Sequence, residues 1–335
     1  MKKLIPIFLM AFFMSGCAIG QSSYSESFFA MDTYMTVTVN SENSKEAVKK
    51  AEDEIKKLDK TLSAHDKNGG IYKLNKNGSA KLPDDGVKLV KQALRFSKMT
   101  DGAFNPALLK VTKLWGFPDK NYRVPDKNKI EEALKTAEPS NISVSGKMVV
   151  LKDGTQIDLG AIAKGYASEK IINEFKKSGV ESALVNLGGN VQALGVKPDG
   201  SMWNVAIEHP KDKNSYLGQL RIKDKAVVTS GAYERYFKKN GRVYHHILNP
   251  ENGFPADSGL MSVTIVSKNG TICDALSTSL YVMGEKKAEK FWAASNESFD
   301  IILYTNSGKL IISEGIADSF TSDIEYKVIK RTDYE

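Results

Sequence analysis

The stretch "DLGAIAKGYASEK", residues 158–170, carries a change of backbone period. It reads as the end of a strand, a tight turn at Gly160 and the start of a helix. Such a junction can present free backbone N–H groups and a positive helix end to an anion. Lys164 falls in the first turn of that helix, where a cation is slightly disfavoured by the dipole. Two readings stay open for the stretch alone: a helix start with glycine for close packing, or a phosphate site. A Walker loop and a dinucleotide G-x-G-x-x-G are both absent from the chain.

Outward from this junction, helices and strands fail to alternate regularly. Residues 28–39, "FFAMDTYMTVTV", alternate and are β-rich, which predicts a strand. Helical spacing follows at 44–63, 87–99, 106–115 and 128–137, then strands at 142–151 and 155–159. A helix at 162–177 and two strands around Gly188-Gly189 come next. Strands at 203–208, 218–222, 226–229, 243–248 and 260–266 precede helices at 272–283 and 286–294. A hairpin over 301–312, turning at Asn306-Ser307-Gly308, closes the pattern. This order fits α+β rather than a doubly wound α/β sheet. No short-period repeat and no Pro/Gly linker divides the chain, so residues 28–335 read as one domain.

The composition agrees with a folded core. Of 335 residues, 41% are hydrophobic and 9% aromatic, enough for a sizeable interior. The formal net charge of +7 is spread among interleaved acidic residues, which reads as a solvated surface and not a nucleic-acid patch. The chain begins "MKKLIPIFLMAFFMSGC": two lysines, a short apolar run, then Ser15-Gly16-Cys17. The run is too short for a stable membrane span, and small residues before a cysteine resemble a bacterial lipobox. Residues 1–16 are then a lipoprotein signal peptide, Cys17 the lipidated residue, and 17–27 a flexible Ser-rich tether. That places the protein on the extracytoplasmic face of the cell membrane, held by a lipid anchor. The chain has 2 cysteines, so lipidation of Cys17 leaves Cys273 without a disulfide partner; it reads as a small buried packing residue.

Four stretches could carry chemistry. In "CDALSTSLYVMG" (273–284), Asp274, Ser277 and Thr278 share one helix face, an oxygen-only set suited to Mg²⁺ or another hard cation. The competing reading is an acidic residue at a helix N-terminus. In "YHHILNPENGFP" (244–255), adjacent His245 and His246 on a strand must face opposite sides, so only one can enter a given site. "TSGAYERYF" (229–237) ends a strand and offers Arg235; "DGAFNP" (101–106) reads as a turn feeding a helix. Neither a Ser-His-Asp or Cys-His order nor a thiolate or histidine metal cluster stands out.

Taken in order, "AMDTYMTV", "DGAFNP", "DLGAIAKGYA", "NLGGN", "SGAYERYF", "YHHILNPENGFP" and "DALSTSLYVMG" resemble the ApbE family, the FAD:protein FMN transferases. Each element is weak alone, but the set runs from residue 31 to 284. The resemblance implies a single α+β domain related to the T-fold, with mixed and antiparallel sheets and packed helices. It implies that FAD binds with Mg²⁺ and that FMN passes to a threonine hydroxyl of an acceptor flavoprotein, releasing AMP. By motif, Asp274 and Thr278 match side-chain Mg²⁺ ligands, Ser277 a possible additional one and Ala161 a backbone-carbonyl ligand. Asp158 and Lys164 match FAD contacts; Met31 and Ala103-Phe104-Asn105 match parts of the FAD pocket. His246 matches the position beside the diphosphate, where it would activate the acceptor or stabilise the transferred phosphate, and Asp274 joins it as a catalytic residue through the metal. His65 stands where family members usually carry a tyrosine, at a place where a base or the flavin ring packs. Gly69-Gly70 replaces a more polar pair, which suggests a mobile loop. Two other readings use the same site: an FAD pyrophosphatase giving FMN and AMP, and an FAD-binding lipoprotein without chemistry. A general solute-binding lipoprotein needs two α/β lobes, which this strand–helix order does not supply.

Overall fold

A computed structural model describes residues 22–334. The expected signal peptide, lipobox and Cys17 lie outside the described residues. The described chain opens on a hairpin, β1 (Ser23–Ala30) and β2 (Thr33–Asn40). It continues through α1 (Ser44–Leu62), α2 (Gly70–Asn77), β3 (Ser79–Lys81), α3 (Asp84–Met99), α4 (Leu109–Trp115) and α5 (Lys127–Leu134). The hairpin β4 (Ile142–Ser145) and β5 (Met148–Leu151) leads to α6 (Gly160–Lys177). Then come β6 (Ser182–Leu187), β7 (Asn190–Leu194), β8 (Trp203–His209), β9 (Asp212–Ile222) and β10 (Ala226–Gly231). A small hairpin, β11 (Tyr236–Lys239) and β12 (Arg242–His245), precedes β13 (Leu260–Ser267), α7 (Gly270–Met283) and α8 (Glu285–Ala294). The last strands are β14 (Asp300–Thr305), β15 (Leu310–Ser313), β16 (Phe320–Thr321) and β17 (Tyr326–Ile329).

Nine strands form one sheet in the order β1-β2-β6-β7-β10-β13-β14-β15-β17. Its pairs are antiparallel except β15 with β17, so the sheet is mixed. Strand alternation sends side chains to both faces, and both faces are covered. Along β10, Ala226 and Val228 join the core under the helices, while Val227 joins Trp203, Leu220 and Ile222 on the opposite side. Helices α1, α6 and α7 cover the first face; the small sheet β16-β9-β8 covers the second. A third cluster, built on Val111, Trp115 and Ile130, seats the β11–β12 hairpin through Phe237 and Tyr244. This is the expected α+β class.

Several local expectations change. The strand expected over 28–39 is a hairpin, because Met31 and Asp32 adopt φ of 46° and 61° and reverse the chain. Primed two-residue turns need such left-handed residues, and no Gly or Asn marks the place in the sequence. The expected tether also ends sooner. Residues 23–27 belong to β1, where Ser25 and Ser27 hydroxyls pair with those of Thr38 and Thr36 at 2.8 Å. Their polar face mimics a linker. The strand expected over 155–159 pairs with no other strand among the described residues: the Ile157 N–H donates to Asn75 Oδ1 and the Asp158 N–H to the Pro106 carbonyl. The Gly69-Gly70 pair, expected to loosen a loop, instead tightens one. A Cβ at either glycine would lie 2.5–2.6 Å from the backbone oxygens of Ser63 or Thr61 at the end of α1. Cys273 is buried as expected, and burial pushes its thiol pKa well up. Among the described residues no helix is long and apolar enough to cross a membrane.

Candidate active site

The N-terminus of α6 and the middle of α7 meet at a cavity of about 550 Å³, within the usual range of small-molecule sites. A glycine pair makes the meeting possible. A Cβ at Gly165 would lie 2.2 Å from the Gly270 carbonyl oxygen and 2.6 Å from Asp274 Cβ. With hydrogen there instead, the two helices touch, and the Gly165 N–H donates to Asp274 Oδ2 at 2.8 Å. Asp274 is 4% exposed, and that charge-assisted bond fixes its carboxylate at the cavity wall. Thr278 lies one turn on and also lines the cavity, as the i, i+4 spacing requires.

Ser277 departs from the expectation. It is fully buried and does not line the cavity. Its hydroxyl donates back to the Asp274 carbonyl, three residues earlier, and sits 2.8 Å from Ser230 Oγ. It is a packing hydroxyl that links α7 to β10. Ser230 stands where Ser277 was expected: it lines the cavity, and its Oγ is 3.3 Å from Thr278 Oγ1.

The start of α6 contributes Ala161 and Lys164 to the cavity. The helix begins at Gly160, so Lys164 sits one residue beyond the first turn. Asp158 lies just before the N-cap residue Leu159, and its Oδ1 accepts the Gly160 N–H at 2.8 Å in an Asx-type turn. The amide row expected to meet an anion is thus partly satisfied by the chain's own carboxylate. Burial pushes the Asp158 pKa up, but the His65 imidazole 3.5 Å away, the Gly160 N–H and Arg235 more than offset this and hold it below its ordinary range. The ion pairs that reach the cavity are His65–Asp158 and Arg235–Asp32; Lys164 is in neither.

The opposite wall is shaped by the turn at Met31, whose N–H donates to Asp59 Oδ2 at 2.9 Å, and by the loop around Phe104. Thr100 Oγ1 accepts the Phe104 N–H, and the Phe104 ring packs on Phe96. Asn105 uses both ends of its amide to brace the loop, donating to the Ala137 carbonyl and accepting the Ala107 N–H. Ala103 completes that wall.

The two histidines separate as the strand argument requires. His246 lines the cavity; His245 is buried behind it, edge-on to Tyr281 at 5.7 Å. His246 Nδ1 lies 3.2 Å from the Arg235 carbonyl oxygen. A carbonyl only accepts, so that contact places the proton on Nδ1 and leaves Nε2 with its lone pair. Burial and the neighbouring Arg235 lower the His246 pKa to about 3, so the ring is neutral at physiological pH. Sequence reasoning passed over Glu234, which reads as a surface turn residue. It lines the cavity, and burial raises its pKa to about 7 against the pull of Lys164 and Arg235. Only the fold, by laying the end of β10 against α7, reveals it.

Among the described residues, no group of three or more His, Cys, Asp or Glu could hold a metal ion. The donors available are the Asp274 carboxylate, the Thr278 hydroxyl and the Ala161 carbonyl. One carboxylate with neutral oxygens suits Mg²⁺, a hard ion that keeps waters and takes phosphate oxygens as further ligands. The residues present therefore fit such an ion.

The family model for the ApbE family matches residues 31–303. The chain belongs to the ApbE family. It is 36% identical over 289 residues to an FAD:protein FMN transferase of Treponema pallidum, spanning 79% of this chain and 80% of the relative. A Klebsiella pneumoniae protein of the same name is 35% identical, spanning 73% and 77%. The fold matches the crystal structure of an ApbE protein from Thermotoga maritima with a TM-score of 0.82 and 33% identity, covering 88% of this chain and 98% of that one. It also matches the flavinyl transferase ApbE of Pseudomonas stutzeri, solved without ligand, with a TM-score of 0.81 and 29% identity, covering 92% and 99%. Apart from Ala30 at the start of the first, all seven sequence elements that carry the resemblance lie within the matched span.

Proposed function

We propose that this ApbE-family protein transfers FMN from FAD to a threonine hydroxyl of a partner flavoprotein, in the presence of Mg²⁺, and releases AMP. One observation carries the reading: Lys164, in no ion pair among the described residues, neutral His246 and the Asp274–Thr278 pair converge on one cavity. These groups suit a diphosphate and a nucleophile arriving together.

In the transfer, the acceptor oxygen forms a bond to the phosphorus of the FMN half. The bond from that phosphorus to the bridging oxygen breaks, and AMP leaves with that oxygen. The acceptor proton goes to His246 Nε2, whose tautomer leaves it free to accept. Lys164 and Arg235 supply positive charge for the diphosphate oxygens. Asp274, Thr278 and the Ala161 carbonyl would hold the Mg²⁺, which when bound offsets charge on those oxygens. Met31 and Phe104 form the apolar wall for a ring, and the Asp158–His65 pair gives hydrogen-bonding edges near the start of α6.

The diphosphate also retunes the base. Part of the depression of the His246 pKa comes from Arg235 and Lys164. An anion between these cations removes that part, so the imidazole becomes more basic when substrate is present.

The test is a mass spectrum of acceptor protein incubated with this chain and FAD, with and without Mg²⁺. One added FMN per acceptor, only with metal and accompanied by AMP, supports the transferase. Free FMN and AMP without adduct would make water the acceptor and overturn the proposal. On the strength of Ser15-Gly16-Cys17 we further propose that the protein sits on the extracytoplasmic face of the cell membrane, anchored through lipidated Cys17. Cys17→Ala should then release it from the membrane fraction.

A further inference from the structure

The β11–β12 hairpin grows directly out of the cavity wall. The residue before it, Arg235, and the residue after it, His246, both line the cavity. The His246 N–H donates to the Arg235 carbonyl and closes the base of the hairpin. Beyond that base the hairpin is a separate two-stranded sheet, so the outer edges of both strands are unpaired among the described residues. Phe237 and Tyr244 face inward onto Trp115. His245 is buried as well, and the exposed residues are Tyr236 at 45%, Val243 at 45%, and Lys238, Lys239 and Arg242.

The charge on this hairpin is one-sided. Residues 236–245 read "YFKKNGRVYH", with three cations and no acidic residue. Of the three, only Arg242 has a described side-chain partner, the Tyr244 ring at 5.5 Å; none of the ion pairs includes Lys238, Lys239 or Arg242. Some lysines elsewhere pair with acids, as Lys49, Lys50, Lys57 and Lys309 do, whereas this hairpin carries no acid of its own. Unpaired strand edges and uncompensated cations are features that proteins normally blunt or use for binding.

We propose that the β11–β12 hairpin is the docking surface for the acceptor, and that it takes the extended, acidic segment carrying the target threonine. This rests on the transferase reading. The segment adds along a free hairpin edge, its carboxylates meet Lys238, Lys239 and Arg242, and its apolar residues cover Tyr236 and Val243. The hairpin base then delivers the threonine to His246. Pairing through the backbone explains how one surface can hold a segment while its side-chain charges select it.

The test uses synthetic peptides of one length, each with a single central threonine in a Gly/Ser/Val background. One set carries flanking Glu, one flanking Gln and one flanking Lys. FMN adducts formed from FAD and Mg²⁺ are counted by mass spectrometry, with wild type and with the K238E/K239E/R242E variant. FAD binding is followed separately by flavin fluorescence. Wild type should modify the Glu set at least tenfold faster than the Lys set. The variant should bind FAD within twofold of wild type and reverse the order of the peptides. An unchanged order in the variant overturns the proposal. So does FAD binding without an adduct on any peptide, because the hairpin would then not capture an isolated segment. Failure of wild type to bind FAD would instead overturn the transferase reading beneath it.

Discussion

Gly165→Ala should unseat Asp274 without touching the cavity surface. The new methyl would start 2.2 Å from the Gly270 carbonyl oxygen and 2.6 Å from Asp274 Cβ. Ordinary contact is near 3.4–4 Å, so α6 and α7 must part by about 1 Å. Overpacking of this kind costs about 1–3 kcal/mol. Loss of the Gly165 N–H bond to a buried carboxylate adds about 1.5–3 kcal/mol. Alanine's better helix propensity returns about 1 kcal/mol. The expected loss is about 2–5 kcal/mol. At about 2.1 cal/mol/K of unfolding entropy per residue, it lowers the Tm of a domain near 310 residues by roughly 3–8 °C. Calorimetry measures that loss, and a Mg²⁺ titration of turnover measures the second effect, a higher metal requirement with FAD binding largely kept. Gly160→Ala is the control, since its Cβ meets only the movable Asp158 carboxylate, at 3.2 Å. A Gly165→Ala protein within about 0.5 kcal/mol of wild type, with an unchanged Mg²⁺ requirement, would refute the argument from helix contact.

Asp274→Asn keeps the acceptor oxygen for Gly165 but removes the charge; Mg²⁺-dependent turnover should vanish while circular dichroism stays native. Full activity would sink the metal assignment. His246→Gln should cut transfer by about 10²–10⁴-fold, the usual worth of a positioned base, with FAD affinity within a few-fold. His245→Leu should spare turnover and change stability only. In NMR of the FAD-free protein, His246 should not titrate between pH 5 and 8, given a pKa near 3, and should become more basic when FAD is added. Lys170 bonds Glu54 at 2.6 Å and Asp85 at 2.7 Å, and Tyr166 donates to Asp85 at 2.6 Å. Burial pushes the Asp85 pKa up, but these bonds more than offset it and leave it lowered. A carboxyl lowered on folding stabilises above its unfolded pKa of about 4 and loses that contribution as pH falls through the folded value. The stability gap between wild type and Lys170→Met, measured in urea, should therefore shrink below about pH 4; a constant gap would contradict it.

The site was readable wherever one local pattern decided the outcome. The i, i+4 spacing put Asp274 and Thr278 on one face, and the opposite facing of adjacent residues separated His246 from His245, although the strand expected over 243–248 ends at His245 and His246 is held by its N–H bond to the Arg235 carbonyl. What escaped depended on distant neighbours. Ser277 shares the helix face on a wheel, but its hydroxyl bonds back to its own helix and across to Ser230. Glu234 looked like a turn residue because nothing local buries it. The β1–β2 hairpin was read as one strand because two ordinary residues, Met31 and Asp32, take the left-handed turn. Gly69-Gly70 looked mobile because the sequence does not show the end of α1 against them.

The charges around the cavity are arranged in two complementary halves. Arg235 is tied only loosely, 3.7 Å from Asp32, and Lys164 is in no ion pair among the described residues. Against them, among the acids lining the cavity, stand Asp274, which is buried, and Glu234. The Asp274 charge is costly to bury alone. Asp274 is held by a backbone N–H, while Glu234 responds to burial by moving toward neutrality. A diphosphate entering with a divalent ion completes both halves: the anion meets Lys164 and Arg235, and the cation meets Asp274. Either partner entering by itself would leave one half uncompensated. FAD and Mg²⁺ should therefore each bind more tightly in the presence of the other, by the same factor. Independent affinities in paired titrations would contradict this division of charge.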